Sequence, residues 1–237
     1  MMKTDEKLIV KGKRLDGRKP MDIRKIKMEV GVIPNANGSA YVEFGGTRAI
    51  AAVYGPGEVI PRHLRQDERA ILRCYYAMAP FSVSDRKRPG PNRRSTEITK
   101  VTRLALEPAI FLDEFPGTGI SIYIDIIQAD GSTRVTGINA ASLALADAGI
   151  PMKDLVVGLS GGKIEDTLAI DLNGKEDNYS NADIPIAFIG STKEITLLQM
   201  DGRLDPKEVK EIIKNVLKTG EQVYKKQQEA LKNRYKE

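Results

Sequence analysis

The stretch Gln128-Ala129-Asp130-Gly131-Ser132-Thr133-Arg134 brings a glycine, two hydroxyl residues and an arginine together. It joins a β-branched apolar run at 120–127 to an alanine-rich run at about 136–148 with helical spacing. A strand therefore gives way to a helix there, and the free N–H groups of a helix start attract anions, aided by the helix dipole. Gly131 lets the main chain approach an anion closely, Ser132 and Thr133 add hydroxyl donors, and Arg134 brings a charged fork that grips two oxygens. The same residue types also make an ordinary helix cap, so this stretch needs partners before it becomes a site.

Arg93 and Arg94 lie just ahead of a second predicted helix start, where a loop can set cations beside free amides. Alone they read equally as solvated loop charges. Two such starts facing one another would hold a phosphate and a phosphodiester together. The acidic candidates lie in Glu176-Asp177-Asn178-Tyr179-Ser180-Asn181-Ala182-Asp183. Asp177 follows a predicted strand and an Asn173-Gly174 turn, and Asp183 immediately precedes the next strand. Loop carboxylates flanking two strands of one sheet can converge. Close together, one holds its proton more tightly and serves as a general acid, or the pair binds a divalent metal through oxygen. Plain turn chemistry by Asp and Asn accounts for the same residues.

The 237-residue chain has one histidine and one cysteine, which excludes histidine-rich metal sites, Cys/His zinc clusters and an intrachain disulfide. Cys74 sits among strand-like apolar residues and is expected to be packed inside a reduced, cytoplasmic protein. A hydrophobic share of 41% against 29% charged is that of a soluble globular chain. No apolar run spans a membrane, and residues 1–13 lack the core of a signal peptide. Charge is unevenly spread. Residues 62–103 carry eleven Lys and Arg against four Asp and Glu, whereas residues 104–206 carry six against sixteen. Besides ordinary solvated faces, that suits a polyanion groove bordered by carboxylates, or complementary faces on neighbouring subunits.

Strands are predicted at 38–44 and 47–54 around a Gly45-Gly46 hairpin turn, and at about 70–79. A helix is predicted over about 95–115 with a kink at Pro108. Further strands are predicted at 120–128, 155–160, 167–172, 184–190 and 194–200. Asp205-Pro206-Lys207-Glu208 opens a long final helix, with Asp205 as cap, Pro206 at the first position and Glu208 closing a capping box. Its predicted apolar stripe is Val209, Ile212, Ile213, Val216, Leu217, Val223 and Leu231. With no low-complexity linker, the chain reads as one α+β domain over 1–237, made of two βα units sharing a core. Residues 1–12 form a tail and about 205–235 the C-terminal helix.

Taken in order, the motifs resemble the RNase PH family over roughly residues 10–235. The match comprises Arg14-Leu15-Asp16-Gly17-Arg18, Pro61-Arg62-His63, Arg93-Arg94-Ser95-Thr96-Glu97-Ile98, and Asp130 to Arg134. It continues with Ala141-Ser142-Leu143-Ala144-Leu145-Ala146-Asp147-Ala148-Gly149-Ile150-Pro151 and the 176–183 block. In detail the chain is most similar to the catalytic RNase PH-like subunit of the archaeal exosome. The resemblance implies a duplicated βα fold of the ribosomal protein S5 domain 2-like type, with two sheets and helices between and outside them. It implies phosphorolysis of single-stranded RNA from the 3′ end, with inorganic phosphate as co-substrate and nucleoside diphosphates as products. Gly131, Ser132, Thr133 and Arg134, with Arg94, would hold the attacking phosphate. Asp177 and Asp183 would be the catalytic carboxylates, acting as proton donor or as Mg²⁺ ligands. Arg62, His63, Arg65, Arg93 and Arg94 would bind RNA. The implied assembly is a six-membered ring alternating with a related inactive subunit and bearing RNA-binding cap subunits, with no membrane partner. A homohexameric RNase PH trimming transfer RNA 3′ ends, and a non-catalytic RNA-binding ring subunit, are the alternatives. Subunits of the last kind typically lose the loop arginine or the acidic pair, whereas Arg134, Asp177 and Asp183 all stand here.

Overall fold

The computed structural model describes residues 7–236. Two short strands, β1 (Ile9–Val10) and β2 (Lys13–Arg14), pair with each other and lead to β3 (Ile26–Val30). There follow β4 (Gly38–Phe44), β5 (Thr47–Glu58), β6 (Ile71–Met78), α1 (Arg93–Leu106) and β7 (Thr118–Gln128). The second half contains α2 (Thr133–Asp147), β8 (Val156–Ile164), β9 (Thr167–Ile170), α3 (Gly174–Tyr179) and β10 (Ala182–Ile189). It closes with β11 (Ile195–Leu198), β12 (Asp201–Gly202) and α4 (Pro206–Arg234).

The first sheet runs β3-β4-β5-β7-β6, antiparallel except for the β6–β7 pair. The second runs β11-β10-β8-β9, with β12 also paired to β10. On β7, Ile120, Ile122, Ile124 and Ile126 are buried and Tyr123 between them is exposed, as alternation dictates for a strand covered on one face. Small residues let α2 enter between the two sheets, and twelve of its fifteen residues are buried. On β8, a Cβ at Gly158 would meet the Val135 backbone of α2 at 2.8 Å, while one at Gly161 would meet Ile212 of α4 at 2.6 Å. Alternate residues of one strand thus seat α2 on one face and α4 on the other, matching the expected helices between and outside the sheets.

Several predicted bounds shift. The helix expected to 115 ends at Leu106, because Pro108 cannot continue the α-helical hydrogen bonding and opens a single 3₁₀ turn, Glu107–Ala109. A second such turn covers Leu112–Glu114. α2 starts at Thr133 rather than 136, and α3 occupies what reads as an acidic loop. Of the tail expected at 1–12, residues 1–6 lie outside the described residues, whereas Leu8 is buried against Ile164, Ala169 and Leu172. Cys74 is buried as expected, and burial pushes its thiol up to about 12. Among the described residues no helix is long and apolar enough to cross a membrane.

Candidate active site

The turn between β7 and α2 is held on three sides. Gly131 has φ +73°, and a Cβ there would meet the backbone of residues 172–174 at 2.6–2.8 Å, so only glycine fits. The Thr47 hydroxyl donates to the Gly131 carbonyl (2.7 Å) and accepts from the Asp130 N–H (2.9 Å). Asp130 in turn accepts from the Gly174 N–H at 3.0 Å, joining the turn to the start of α3. Ser132 adopts φ +54°, and its hydroxyl donates to the Leu172 carbonyl at 2.9 Å beside the Ser160 hydroxyl at 2.8 Å. That hydroxyl braces the turn. Helical hydrogen bonding begins with the Thr136 N–H on the Ser132 carbonyl, which leaves the first amides of α2 at its open end.

Arg93 and Arg94 are the first two residues of α1, which starts two residues earlier than the sequence suggests. Asn92 caps the helix: its side chain accepts from the Ser95 N–H, and the Ser95 hydroxyl accepts from the Asn92 N–H, both at 2.9 Å. Asp177 sits on α3 rather than in a loop. Asn173 and Glu176 form that helix's capping box, and Arg14 grips Glu176 through Nε at 2.7 Å and through a second contact from Nη2. Asp183 is the second residue of β10 and lies opposite Asp201 of β12.

These elements converge on one cleft of about 960 Å³. Arg93, Arg94, Ser132, Thr133, Arg134, Asp177 and Asp183 all line it, with Gly131 at the preceding turn position. Arg134 is steadied by Glu97 of α1 at 3.0 Å, and Glu97 also accepts from Gln199 at 3.0 Å. Arg62, His63 and Arg65 are not among the cleft's lining. They lie on an exposed stretch that includes a 3₁₀ turn, where Arg62 meets Glu58 at 2.8 Å and Arg65 meets Asp67 at 3.3 Å. Arg62 and Arg65 border a separate hollow of about 360 Å³.

The cleft sets its carboxylates against its arginines. Burial raises the Asp177 pKa, opposed by Arg94 and Arg134. Asp183 is pushed up to about 7, by burial first and by the Asp177 charge second, with the same two arginines opposing. As a pair they therefore retain a proton at a pH where free carboxyl groups have lost theirs. Asp201 adds negative charge to both and was not singled out in the sequence. Glu97 and Gln199 likewise emerge as site residues only from the fold. A signal for α3 was present in the Asn173…Glu176 spacing.

Asp183 gives a stability prediction. Its folded pKa of about 7 lies above the ordinary carboxyl value of 3.8, so its favourable contribution is complete below the lower value and lost as pH rises through the upper one. Asp183→Asn is expected to stabilise the protein at pH 8 by on the order of 2 kcal/mol, about 4–8 °C in Tm. At pH 4 the variant should melt with the wild type. Equal shifts at both pH values in thermal unfolding would contradict the buried-proton account.

Comparison with known proteins agrees with this architecture. Residues 22–151 match domain 1 of the 3′ exoribonuclease family, RNase PH, and residues 154–218 match its domain 2. Exosome complex component Rrp41 of Pyrococcus furiosus is 59% identical over 224 residues, covering 94% of this chain and 90% of that protein. Its counterpart in Methanopyrus kandleri is 50% identical over 236 residues, covering 99% of both. Among solved structures, rice Rrp46 superposes with TM-score 0.81 at 24% identity, covering 91% of this chain and 98% of that one. An Archaeoglobus fulgidus exosome with RNA bound to the active site gives TM-score 0.79 at 22% identity, covering 90% and 92%. These two share the fold. With both family domains matched in order and half or more of its residues shared with such relatives, the chain belongs to the RNase PH family of 3′ exoribonucleases.

Proposed function

We propose that this chain shortens single-stranded RNA from its 3′ end by phosphorolysis, in the cytoplasm, as the catalytic subunit of an archaeal exosome ring. The observation that carries this reading is the meeting of two arginine-bearing helix starts with the Asp177–Asp183 pair in one cleft. Phosphate already carries its nucleophilic oxygen, so the site needs no strong base to activate water. Its work is to hold two anions together and stabilise their in-line exchange, which preorganised amides and guanidinium groups do by position and charge. The α2 amides, Thr133 and Arg134 receive orthophosphate, with Arg94 opposite. An oxygen of that phosphate bonds to the terminal phosphorus as the bond to the preceding ribose 3′ oxygen breaks. The departing oxygen takes the proton held by the carboxylate pair, and a nucleoside diphosphate leaves.

Mg²⁺ typically takes one or two carboxylates and completes its shell with waters and substrate phosphates, a donor set that Asp177 and Asp183 fit. When bound, it would neutralise charge on the departing oxygen. Among the described residues no group of three or more His, Cys, Asp or Glu is placed to hold a metal ion by protein ligands alone.

The relatives' name as exosome components supports assembly with other exosome subunits, which in this reading are related, inactive ring subunits and RNA-binding caps. Supporting a neighbour too is the uncovered face of the first sheet, where Tyr75 stacks on Tyr123 at 4.8 Å and Tyr54 meets Tyr123 edge-on at 5.9 Å. Arg62 and Arg65, outside the cleft and exposed, suit the phosphates of a longer strand. Neutralising both should weaken binding of long RNA and reduce its salt slope by about 1.4, at roughly 0.7 per phosphate contact, while turnover of a dinucleotide stays unchanged. Equal losses on both substrates would count against that assignment.

The function is tested by incubating RNA with and without orthophosphate and identifying the nucleotides by chromatography. Nucleoside diphosphates that appear only with phosphate are expected. Nucleoside monophosphates as the sole product would overturn the reading.

A further inference from the structure

Arg24 lies outside the cleft, yet it holds two of the cleft's walls at once. Its side chain is 6% exposed, and the residue sits in the segment that leads into β3. Its backbone N–H, Nε and Nη2 all donate to the Asp171 carboxylate, at 2.7, 2.9 and 2.6 Å. Asp171 follows β9, two residues before the Asn173 cap of α3, the helix that carries Asp177. The remaining guanidinium nitrogen, Nη1, donates to the Asp130 carbonyl at 2.6 Å, on the turn that carries Gly131. One planar group thus spans the anion turn and the root of the acidic helix.

The space for this group is kept by the β4–β5 turn. A Cβ on Gly45 would meet the Arg24 Cδ at 2.7 Å, and one on Gly46 would meet the Asp130 carboxylate at 2.7 Å. The two glycines therefore do more than close a hairpin.

We propose that Arg24 is a positioning residue that fixes the separation between the Gly131 turn and helix α3, and thereby the distance at which bound phosphate meets Asp177. This inference rests on the phosphorolytic reading. The chemistry demands arginine: a rigid fork presents several donors in one plane, whereas a lysine ammonium is a point charge on a flexible stem. Lysine can answer the Asp171 carboxylate, but it lacks the fork that reaches Asp130 at the same time. Complete removal of the charge leaves the buried Asp171 carboxylate with only the longer Arg18 contact at 3.4 Å, which costs the fold directly.

The test uses the full chain in the oligomeric form in which the wild type is active, with Arg24→Lys and Arg24→Met made in parallel. Orthophosphate and RNA are varied separately and melting is followed alongside. For Arg24→Lys, kcat/KM for phosphate should fall about 10- to 100-fold, the scale of a 1 Å misplacement, with KM for RNA within about twofold of wild type. Arg24→Met should lose at least as much. Where a variant melts below the assay temperature, calorimetric titration with orthophosphate in the cold decides: weakened binding supports the proposal and unchanged binding overturns it. Folded variants with wild-type phosphate kinetics overturn it, as does a rise in KM for RNA equal to that for phosphate. A wild-type chain that releases no nucleoside diphosphate removes the functional reading and this inference with it. An active wild type with two indifferent variants removes the inference alone.

Discussion

Replacing Asp177 with alanine should lower phosphate-dependent RNA shortening by about 10²- to 10⁴-fold, the range for losing a positioned proton-transfer group. The loss should fall on kcat, because Asp177 meets a charge that develops only as the ribose oxygen departs. Folding should survive. Asp177 is a half-buried carboxylate whose neighbours include two others, Asp183 and Asp201, so its removal relieves repulsion rather than breaking a core contact. Asp183 should then titrate lower, since the Asp177 charge is the second cause of its raised pKa. Quenched time courses with purified variant and wild type provide the measurement. A variant within about threefold of wild type would remove Asp177 from the chemistry as proton donor and as metal ligand alike.

Arg134→Ala should cost about 10²- to 10³-fold in kcat, as for loss of one preorganised charge-stabilising donor, and should raise KM for orthophosphate. That corresponds to about 2.7–4 kcal/mol of transition-state stabilisation. Against this, the Arg134–Glu97 pair is partly exposed on both sides, 23% and 41%, and contributes at most about 1 kcal/mol to the fold. The two magnitudes separate the explanations: activity should collapse while Tm moves little. Arg134→Lys should rescue only a fraction, because an ammonium cannot reproduce the two-pronged grip on phosphate. Equal loss of activity and stability would point instead to a bracing role between α1 and α2.

What the residues reveal before folding divides along a physical line. Local grammar was readable. The Gly45-Gly46 hairpin, the alternating isoleucines of β7, and the Asp205-Pro206-Glu208 start of α4 each depend on neighbours a few positions apart. The α4 stripe was legible in the same way, with Ile212, Val216 and Val223 fully buried. Gly220 and Gln227 of that face were not, since one makes room for Phe188 and the other bonds to Asn139 across 88 residues. Long-range convergence had the same character. Asp201 enters the cleft through its register with Asp183, and Glu97 through a helix that packs against α2. The Arg14-to-Arg18 motif resembled a family signature, yet its work became visible only when Arg14 met Glu176 across 162 residues. Pro108 illustrates a bound misplaced: a kink was expected where the hydrogen-bond pattern ends the helix outright.

Cys74 has a practical consequence. Its thiol is buried and strongly disfavours the thiolate, which is the form that reacts with maleimides and iodoacetamides. A second cysteine introduced on the exposed basic loop, at Arg88 for instance, would be the one site open to a fluorophore or spin label. The native chain thus already serves as a background for distance measurements from a label on that loop, with no residue first removed from its interior.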